Sequence, residues 1–208
     1  MSFRTEEKVL LHISDEQKLK EFILKENGKK IYKERRIESI YFDNKVLQLY
    51  KDSEEGVVPR KKIRIRSYNG FVDSLLELKI SSVEGKFKKS EIISKNKVNY
   101  YLANGFNDKN YGLCYPMSKV SYDRSYYLIN KDLRLTIDKN MQYKSYNNKS
   151  FYFKDLDNLI LEIKMKSRYS IDALENIIPL YRIRFSKYCT SIDKLFNNNY
   201  EQKLRINL

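Results

Sequence analysis

Charged side chains recur at every second position in five short segments of the sequence. Leu133–Asp138 alternates apolar residues with Arg, Thr and Asp, and Ile63–Arg66 alternates Ile with Arg. Leu76–Ile80 and Leu161–Met165 each carry Glu and Lys two positions apart, and Arg4–Lys8 shows the same spacing. Because successive side chains of a β-strand point to opposite faces, each segment predicts a strand with a charged face.

These charged positions indicate binding of a phosphate chain. The cations are Arg4, Lys8, Arg64, Arg66, Lys79, Arg134 and Lys164, and the carboxylates among them are Glu6, Glu77 and Glu162. Two like charges about 4 Å apart repel by roughly 4 kcal/mol at an effective dielectric of about 20. A polyphosphate would neutralise the cations, since arginine forks bind phosphates through paired hydrogen bonds. The carboxylates suit a hard divalent cation, Mg or Mn, rather than zinc.

Two architectures would accommodate such strands. An open sheet would bury its apolar face and leave the charges in water, which explains a single strand well. Five strands that share Arg, Lys and Glu favour closure of the sheet into a barrel, in which the charged side chains line a lumen. We therefore predict a mainly β, α+β fold: a closed antiparallel β-barrel with a polar, basic lumen and helices packed outside.

The elements that would position these residues follow from periodicity and capping signals. Seven strands are predicted, at Arg4–Leu11, Ser39–Asp43, Lys62–Tyr68, Leu75–Ile80, Lys119–Leu128, Leu133–Asp138 and Leu159–Lys166. Four helices are predicted: from a capping box at Ser14 and Gln17 to Glu26, from Ser94 to Ala103, from Ser170 to the residue before Pro179, and from Ser191 to Tyr200. No linker or domain-sized repeat interrupts the chain, which predicts one domain over residues 1–208.

The composition narrows the class of function. Lys and Arg number 41 against 27 Asp and Glu, and this net charge of +14 indicates an anionic partner. The single histidine, His12, supports neither a catalytic triad nor a histidine-rich metal site, and the Gly-rich loops of P-loop proteins are missing. Cys114 and Cys189 predict free thiols in a reducing compartment. No run approaches the ~20 apolar residues of a membrane span, so we predict a soluble, cytoplasmic protein.

The order of the segments resembles the VTC-type polyphosphate polymerase domain of the triphosphate tunnel metalloenzymes, the CYTH-like superfamily. The segments that carry the resemblance are Arg4-x-Glu6-x-Lys8, Ser39–Asp43 with Leu49-Tyr50, Arg64–Tyr68, Leu76–Lys79, Ser121–Arg124, Leu161–Lys164 and Phe185–Tyr188. Each is a weak signal alone, but their order over nearly the whole chain is specific.

The resemblance implies transfer of the γ-phosphoryl of ATP to a growing polyphosphate, with Mn or Mg and release of ADP. We assign catalytic roles to Lys8, Arg64, Arg66 and Lys79, and substrate binding to Arg4, Lys88, Arg124, Arg134, Lys164, Ser186 and Lys187. Glu162 falls on the family's metal-ligand position, and Glu6 is the second metal-ligand prediction. The expected partners are ATP and polyphosphate or tripolyphosphate.

Two alternatives stay open. The hydrolytic relatives open with ExExK, whereas Arg4 stands here at the first Glu position, which favours the polymerase branch over a hydrolase of tripolyphosphate or nucleoside triphosphate. The second alternative is a non-catalytic polyphosphate-binding module. Nucleic acid is not an expected partner, because core packing of the β-strands accounts equally well for aromatic residues such as Tyr41 and Tyr122.

Overall fold

The computed structural model of the chain describes residues 5–69, 74–129, 133–147, 151–165, 174–178 and 180–197. Contacts separate two compact units. The first comprises Met1–Arg36, Tyr122–Met141 and Lys154–Phe185, and the second comprises Ile37–Ser121, Gln142–Phe153 and Ser186–Leu208. The single domain expected over residues 1–208 stays a prediction.

Strands dominate the described residues, as predicted. They are β1 (Thr5–His12), β2 (Lys29–Asp43), β3 (Arg60–Tyr68), β4 (Ser74–Ser82), β5 (Gly85–Ile93), β6 (Phe106–Asp108), β7 (Gly112–Ile129), β8 (Leu133–Ser145), β9 (Tyr152–Asp155) and β10 (Asn158–Met165). The helices are α1 (Glu16–Lys25), α2 (Gln48–Glu55), α3 (Lys95–Asn104) and α4 (Lys187–Ile192). A 3-10 turn (Ile13–Asp15) precedes α1, and a π-helical turn (Asp193–Asn197) follows α4.

The first unit has strands in the order β1, β10, β8, β7, β2. The antiparallel register aligns Lys8 with Glu162 and Glu162 with Thr136, and Lys164 pairs with Arg134. The intervening apolar residues form a core with α1; this core includes Val9, Leu11, Leu135, Ile137, Leu161 and Ile163 from the strands and Leu19, Phe22 and Ile23 from the helix. One face of these strands is therefore charged and the other apolar, which confirms the predicted alternation.

The second unit has strands in the order β2, β3, β4, β5, with β6 beside β7 and β9 beside β8. Tyr41, Arg64 and Glu77 occupy one register row across β2, β3 and β4. The alternate residues are buried and apolar; they include Ile40, Phe42, Ile63, Ile65 and Leu76. Strand pairing ends at β1 in the first unit and at β5 in the second. The closure of the barrel stays a prediction.

Asp43, at the end of β2, is a hydrogen-bonding centre of the second unit. Its buried carboxylate accepts hydrogen bonds from the backbone N–H groups of Leu49 (3.0 Å) and Tyr50 (2.9 Å) in the first turn of α2. The Tyr188 hydroxyl of α4 donates to it at 2.5 Å. Burial raises the pKa of Asp43 above its usual value. One carboxylate thereby fixes two helices to the strand that carries Tyr41.

Capping residues predict the N-terminus of α3 correctly and that of α1 wrongly. Ser94 caps α3 as predicted, because its side chain accepts a hydrogen bond from Lys97 N at 3.3 Å. The capping box at Ser14 is wrong. β1 continues into a 3-10 turn, in which Ser14 N donates to His12 Nδ1 at 3.3 Å, so that α1 begins after Asp15.

The last helix begins earlier than Ser191. Ser186 is its N-cap, and its Oγ accepts a hydrogen bond from Cys189 N at 3.3 Å. The predicted cap at Ser170 lies outside the described residues, although Leu174 and Glu175 are helical. β5 was not predicted, since seven of its nine residues are exposed and the strand shows no alternation of burial.

Both cysteines, Cys114 and Cys189, are buried free thiols. Burial raises the pKa of both, to about 12 for Cys114. Among the described helices, none combines the length and the apolar character that crossing a membrane requires.

Candidate functional site

Seven side chains on one face of β2–β5 form a charged cluster in the second unit. We define the Glu77 cluster as Tyr41, Lys62, Arg64, Arg66, Glu77, Lys79 and Lys88. They share a face because each occupies an alternate position of its strand, and the antiparallel register brings these positions side by side. Five of the seven are cations, and one is a carboxylate.

Glu77 lies at the centre of this cluster and is completely buried. Arg64 Nε donates a hydrogen bond to its Oε2 at 2.6 Å, Arg66 Nε lies 3.7 Å from the same oxygen, and Lys88 Nζ contacts Oε1. Burial alone would raise the pKa of Glu77, but the charges of these three cations outweigh it and lower the pKa to about 2. Glu77 is therefore ionised at neutral pH and holds the two arginines in place.

A row of three lysines crosses the neighbouring strands. Lys62 on β3 pairs in register with Lys79 on β4, and Lys79 pairs with Lys88 on β5. Like charges directly opposite each other across a β-ladder destabilise the sheet. An anion that spans the three strands would remove this repulsion.

Tyr41 extends the cluster onto β2. Its hydroxyl accepts a hydrogen bond from Arg64 Nη1 at 3.1 Å, and its ring stacks on Tyr188 with centroids 5.2 Å apart. Burial would raise the pKa of Tyr41, but the positive charges of Arg64, Arg66 and Lys187 lower it overall. Tyr41 and Lys62 were not among the predicted site residues. For Lys62 a signal was available, because it lies two positions before Arg64 on the same strand.

The predicted substrate-binding pair Ser186 and Lys187 lies at the start of α4. Ser186 Oγ accepts a hydrogen bond from Lys62 Nζ at 2.8 Å. Lys187 is half-buried and contributes positive charge near Tyr41. Both residues therefore belong to the surroundings of the Glu77 cluster.

A second charged cluster lies in the first unit. We define the Glu162 cluster as Glu6, Lys8, Arg124, Arg134, Asp138, Glu162 and Lys164. Arg124 donates from Nε and Nη2 to the two Asp138 oxygens at 2.5 and 2.6 Å, and its Nη2 lies 3.7 Å from Glu162 Oε2. Burial would lower the pKa of Arg124, but the Asp138 and Glu162 carboxylates raise it well above its usual value. Asp138 was not among the predicted site residues.

Two carboxylates of this cluster converge on one cation. Lys164 Nζ lies 2.8 Å from Glu162 Oε1 and 3.7 Å from Glu6 Oε2. Lys8 Nζ lies 3.9 Å from Glu6 Oε1 and donates a hydrogen bond to the carbonyl of Phe185 at 2.9 Å. Within the described ranges, no group of three or more His, Cys, Asp or Glu side chains could hold a metal. The donor set instead fits Mg or Mn held by one or two carboxylates and by substrate phosphates.

Arg134 and Thr136 bring unsatisfied polar atoms to the same face of β8. Arg134 Nε and Thr136 Oγ1 are buried and make no hydrogen bond to any part of the chain that the structure describes. The guanidinium of Arg134 also lies 5.7 Å from the centroid of the Tyr126 ring. Because a buried polar atom without a partner costs about 1–3 kcal/mol, these atoms favour a ligand that supplies oxygen acceptors or hydroxyls.

The structure thus groups the predicted site residues in two sets. Arg64, Arg66, Lys79 and Lys88 share the Glu77 cluster, whereas Glu6, Lys8, Arg124, Arg134, Glu162 and Lys164 share the Glu162 cluster. Arg4 lies outside the described residues. That Arg64, Arg66, Lys79, Arg134 and Glu162 face one lumen stays a prediction.

Comparison with known families identifies the chain. It matches the VTC domain over residues 3–113 and 102–196, which together span most of its length. The chain belongs to the VTC domain family. This membership confirms the resemblance predicted from the strand segments. No curated protein matches this VTC domain.

Solved structures share the fold of this VTC domain. A Bacillus halodurans protein with a proposed adenylate cyclase function is 14% identical, with a TM-score of 0.60 over 94% of this chain and 100% of that one. The Pyrococcus horikoshii protein PH1819 is 18% identical, with a TM-score of 0.56 over 94% and 99%. HpAC1 from Hippeastrum, a proposed adenylyl cyclase with a dominant triphosphatase activity, is 16% identical, with a TM-score of 0.56 over 90% and 95%. At these identities the similarity shows a common fold and nothing finer.

Proposed function

We propose that this VTC domain is a metal-dependent phosphotransferase that moves the γ-phosphoryl of ATP to a growing polyphosphate chain inside a closed tunnel. The row of Lys62, Lys79 and Lys88 beside Arg64 and Arg66 carries the proposal. Five cations around the single carboxylate of Glu77 favour a ligand with several regularly spaced negative charges. A phosphate chain has this property, and arginine forks match its oxygens.

The reaction needs positioning and charge neutralisation more than a strong base. The bond between the γ-phosphorus of ATP and its bridging oxygen breaks, ADP leaves, and a terminal oxygen of the acceptor phosphate forms the new bond. Arg64 and Arg66 would hold the phosphates, and Glu77 would fix both guanidiniums before substrate arrives. Lys79 and Lys8 would neutralise charge that develops on the transferred group. A histidine is not required for this chemistry.

Glu162 and Glu6 would hold the divalent metal, since their oxygens already converge on one cation, the Lys164 ammonium. When bound, Mn or Mg would supply positive charge to the β- and γ-phosphates. Lys164 would then exchange its carboxylate partners for phosphate oxygens. Arg124 would keep Asp138 as its partner, so that its guanidinium stays oriented during the exchange.

The decisive experiment identifies the product. We expect pure protein incubated with ATP and Mn or Mg to make long polymers that a polyphosphate-staining gel resolves, and the Glu162→Gln variant to make none. Release of orthophosphate without polymer would replace the proposal with the hydrolase alternative. Binding of polyphosphate without metal-dependent turnover of ATP would favour the non-catalytic module.

A further inference from the structure

A shallow, open depression in the first unit presents an exposed aromatic ring. It has a volume of about 320 Å³ and is lined by Lys30, Ile31, Tyr32, Lys33 and Glu34 of β2. Tyr32 is 46% exposed, although it lies within a strand.

The Tyr32 ring contacts two side chains of the same unit. The guanidinium of Arg35 lies 4.6 Å from its centroid, and Tyr126 meets it edge to face, with centroids 5.3 Å apart and an interplanar angle of 83°. Arg35 also lies 5.9 Å from the Tyr126 ring. An exposed ring beside a guanidinium is a preorganised platform on which a flat, electron-rich group can stack.

The same Tyr126 ring contacts two members of the Glu162 cluster. Its centroid lies 5.7 Å from the guanidinium of Arg134 and 5.9 Å from that of Arg124. The Tyr126 ring is thus a common neighbour of the exposed Tyr32 ring and of two arginines assigned to phosphate. The ligand that suits this arrangement has a flat π-system at one end and phosphates at the other, which describes a nucleoside triphosphate.

We infer that Tyr32 and Arg35 bind the base of the nucleoside triphosphate by stacking, an inference that rests on the proposed function. Stacking recognises a π-face rather than a pattern of hydrogen-bond donors and acceptors. Purine triphosphates therefore bind more tightly than pyrimidine triphosphates, and ATP and GTP bind similarly. Inorganic tripolyphosphate binds without using the platform.

Binding measurements on the full chain test this inference. Tyr32→Ala raises the Kd for ATP about 10-fold, given what base–aromatic stacking contributes, and leaves the Kd for tripolyphosphate within about twofold of wild type. Tyr32→Phe restores ATP affinity, because the ring and not the hydroxyl is used. Tyr100→Ala is the matched control, since Tyr100 is exposed (61%) but lies on α3 of the second unit, and it changes neither constant.

A fluorescence measurement tests stacking directly. The chain has no tryptophan, so Tyr32→Trp introduces a single indole into the proposed subsite. ATP quenches this fluorescence on stacking, whereas tripolyphosphate at saturation leaves it nearly unchanged. Tyr100→Trp shows no quenching at the same ATP concentration after correction for absorbance.

Comparison of ATP with tripolyphosphate distinguishes failure of the proposed function from failure of the base-subsite inference. If wild-type protein binds neither ATP nor tripolyphosphate, the proposed function falls, and this inference falls with it. Suppose instead that wild-type protein binds both ATP and tripolyphosphate. If Tyr32→Ala then weakens the binding of both ligands equally, or of neither, the base subsite is overturned but the phosphate site is not. A selective loss of ATP affinity, together with quenching in Tyr32→Trp, supports the inference.

Discussion

The Glu77 cluster and the Glu162 cluster use the same residue types on strands of the same alternation, but their charges are balanced differently. In the Glu77 cluster five cations meet one carboxylate, whose pKa is lowered to about 2. In the Glu162 cluster four cations meet three carboxylates, and two of these share the ammonium of Lys164. A surplus of cations suits phosphate, whereas converging carboxylates suit a metal that accompanies phosphate. The difference predicts separate consequences for mutations in each cluster.

The largest expected effect belongs to the Glu162 cluster. Glu162→Gln removes a proposed metal ligand, so we expect turnover of ATP to fall by ~100-fold or more while metal-free tripolyphosphate binding survives. Glu7→Gln is the control, because Glu7 is the neighbour of Glu6 on β1 and pairs instead with Arg182 (2.7 Å). Near-wild-type turnover of Glu162→Gln under saturating Mn would show that Glu162 is only an ion-pair partner.

The next effect concerns stability at low pH. The pKa of Glu77 is about 2 in the folded protein, against an ordinary value of 4.5. The unfolded chain therefore takes up this proton first as pH falls. The stabilisation, about 3 kcal/mol, is present above pH 4.5 and is lost as pH falls towards 2.

Urea unfolding at several pH values measures this loss. Glu77→Gln should be less stable at pH 6 and should show a flatter decline towards pH 3 than wild type. Glu84→Gln, in the exposed turn between β4 and β5, should keep the wild-type slope. Equal slopes in all three proteins would mean that the cations of the cluster do not hold Glu77 ionised.

A smaller effect is expected when the charge of the Glu77 cluster is kept but its geometry is lost. Arg64→Lys removes the fork that donates to Glu77 and Tyr41, so tripolyphosphate affinity should fall about 10-fold, with turnover falling alongside it. Arg64→Ala should lose more of both. Arg60→Lys, on the same strand, should leave affinity unchanged, since Arg60 bonds to the carbonyls of Gly56 and Val57. Unaltered binding by Arg64→Lys would contradict a phosphate role.

The smallest effect is the ligand-induced shift of melting temperature. Tripolyphosphate at ten times its Kd should stabilise the folded state by about 1.4 kcal/mol and raise Tm by about 4 °C. The shift should shrink as ionic strength rises, because screening weakens the attraction to the cations. Absence of a shift at millimolar tripolyphosphate in low salt would count against both clusters as phosphate sites.

The sequence predicts the charged faces well because alternation is a local property of each strand. Ser94 likewise caps α3 through a hydrogen bond to a residue three positions away. Tyr41 could not be assigned in this way, because its role depends on Arg64 in β3 and on Tyr188 in α4. The pairing of Asp138 with Arg124 similarly depends on how β8 lies beside β7.

The parts of the fold that were missed have physical reasons as well. Residues Lys86–Ile92 of β5 are exposed, so the strand carries no alternating pattern of burial. The capping box at Ser14 fails because Ser14 N, the donor that Gln17 would satisfy, donates instead to His12 Nδ1 at 3.3 Å within the 3-10 turn.

The pairing of β1 with β10 also affects how the chain folds during its synthesis. β3, β4 and β5 pair with their neighbours in sequence, so they can form their ladder as they leave the ribosome. Thr5 pairs with Met165, so β1 has no strand partner until most of the chain has been translated. At ordinary elongation rates this delay is roughly 8 to 30 seconds. We expect the apolar side of β1, with Val9 and Leu11, to be the segment that nascent-chain chaperones protect for longest.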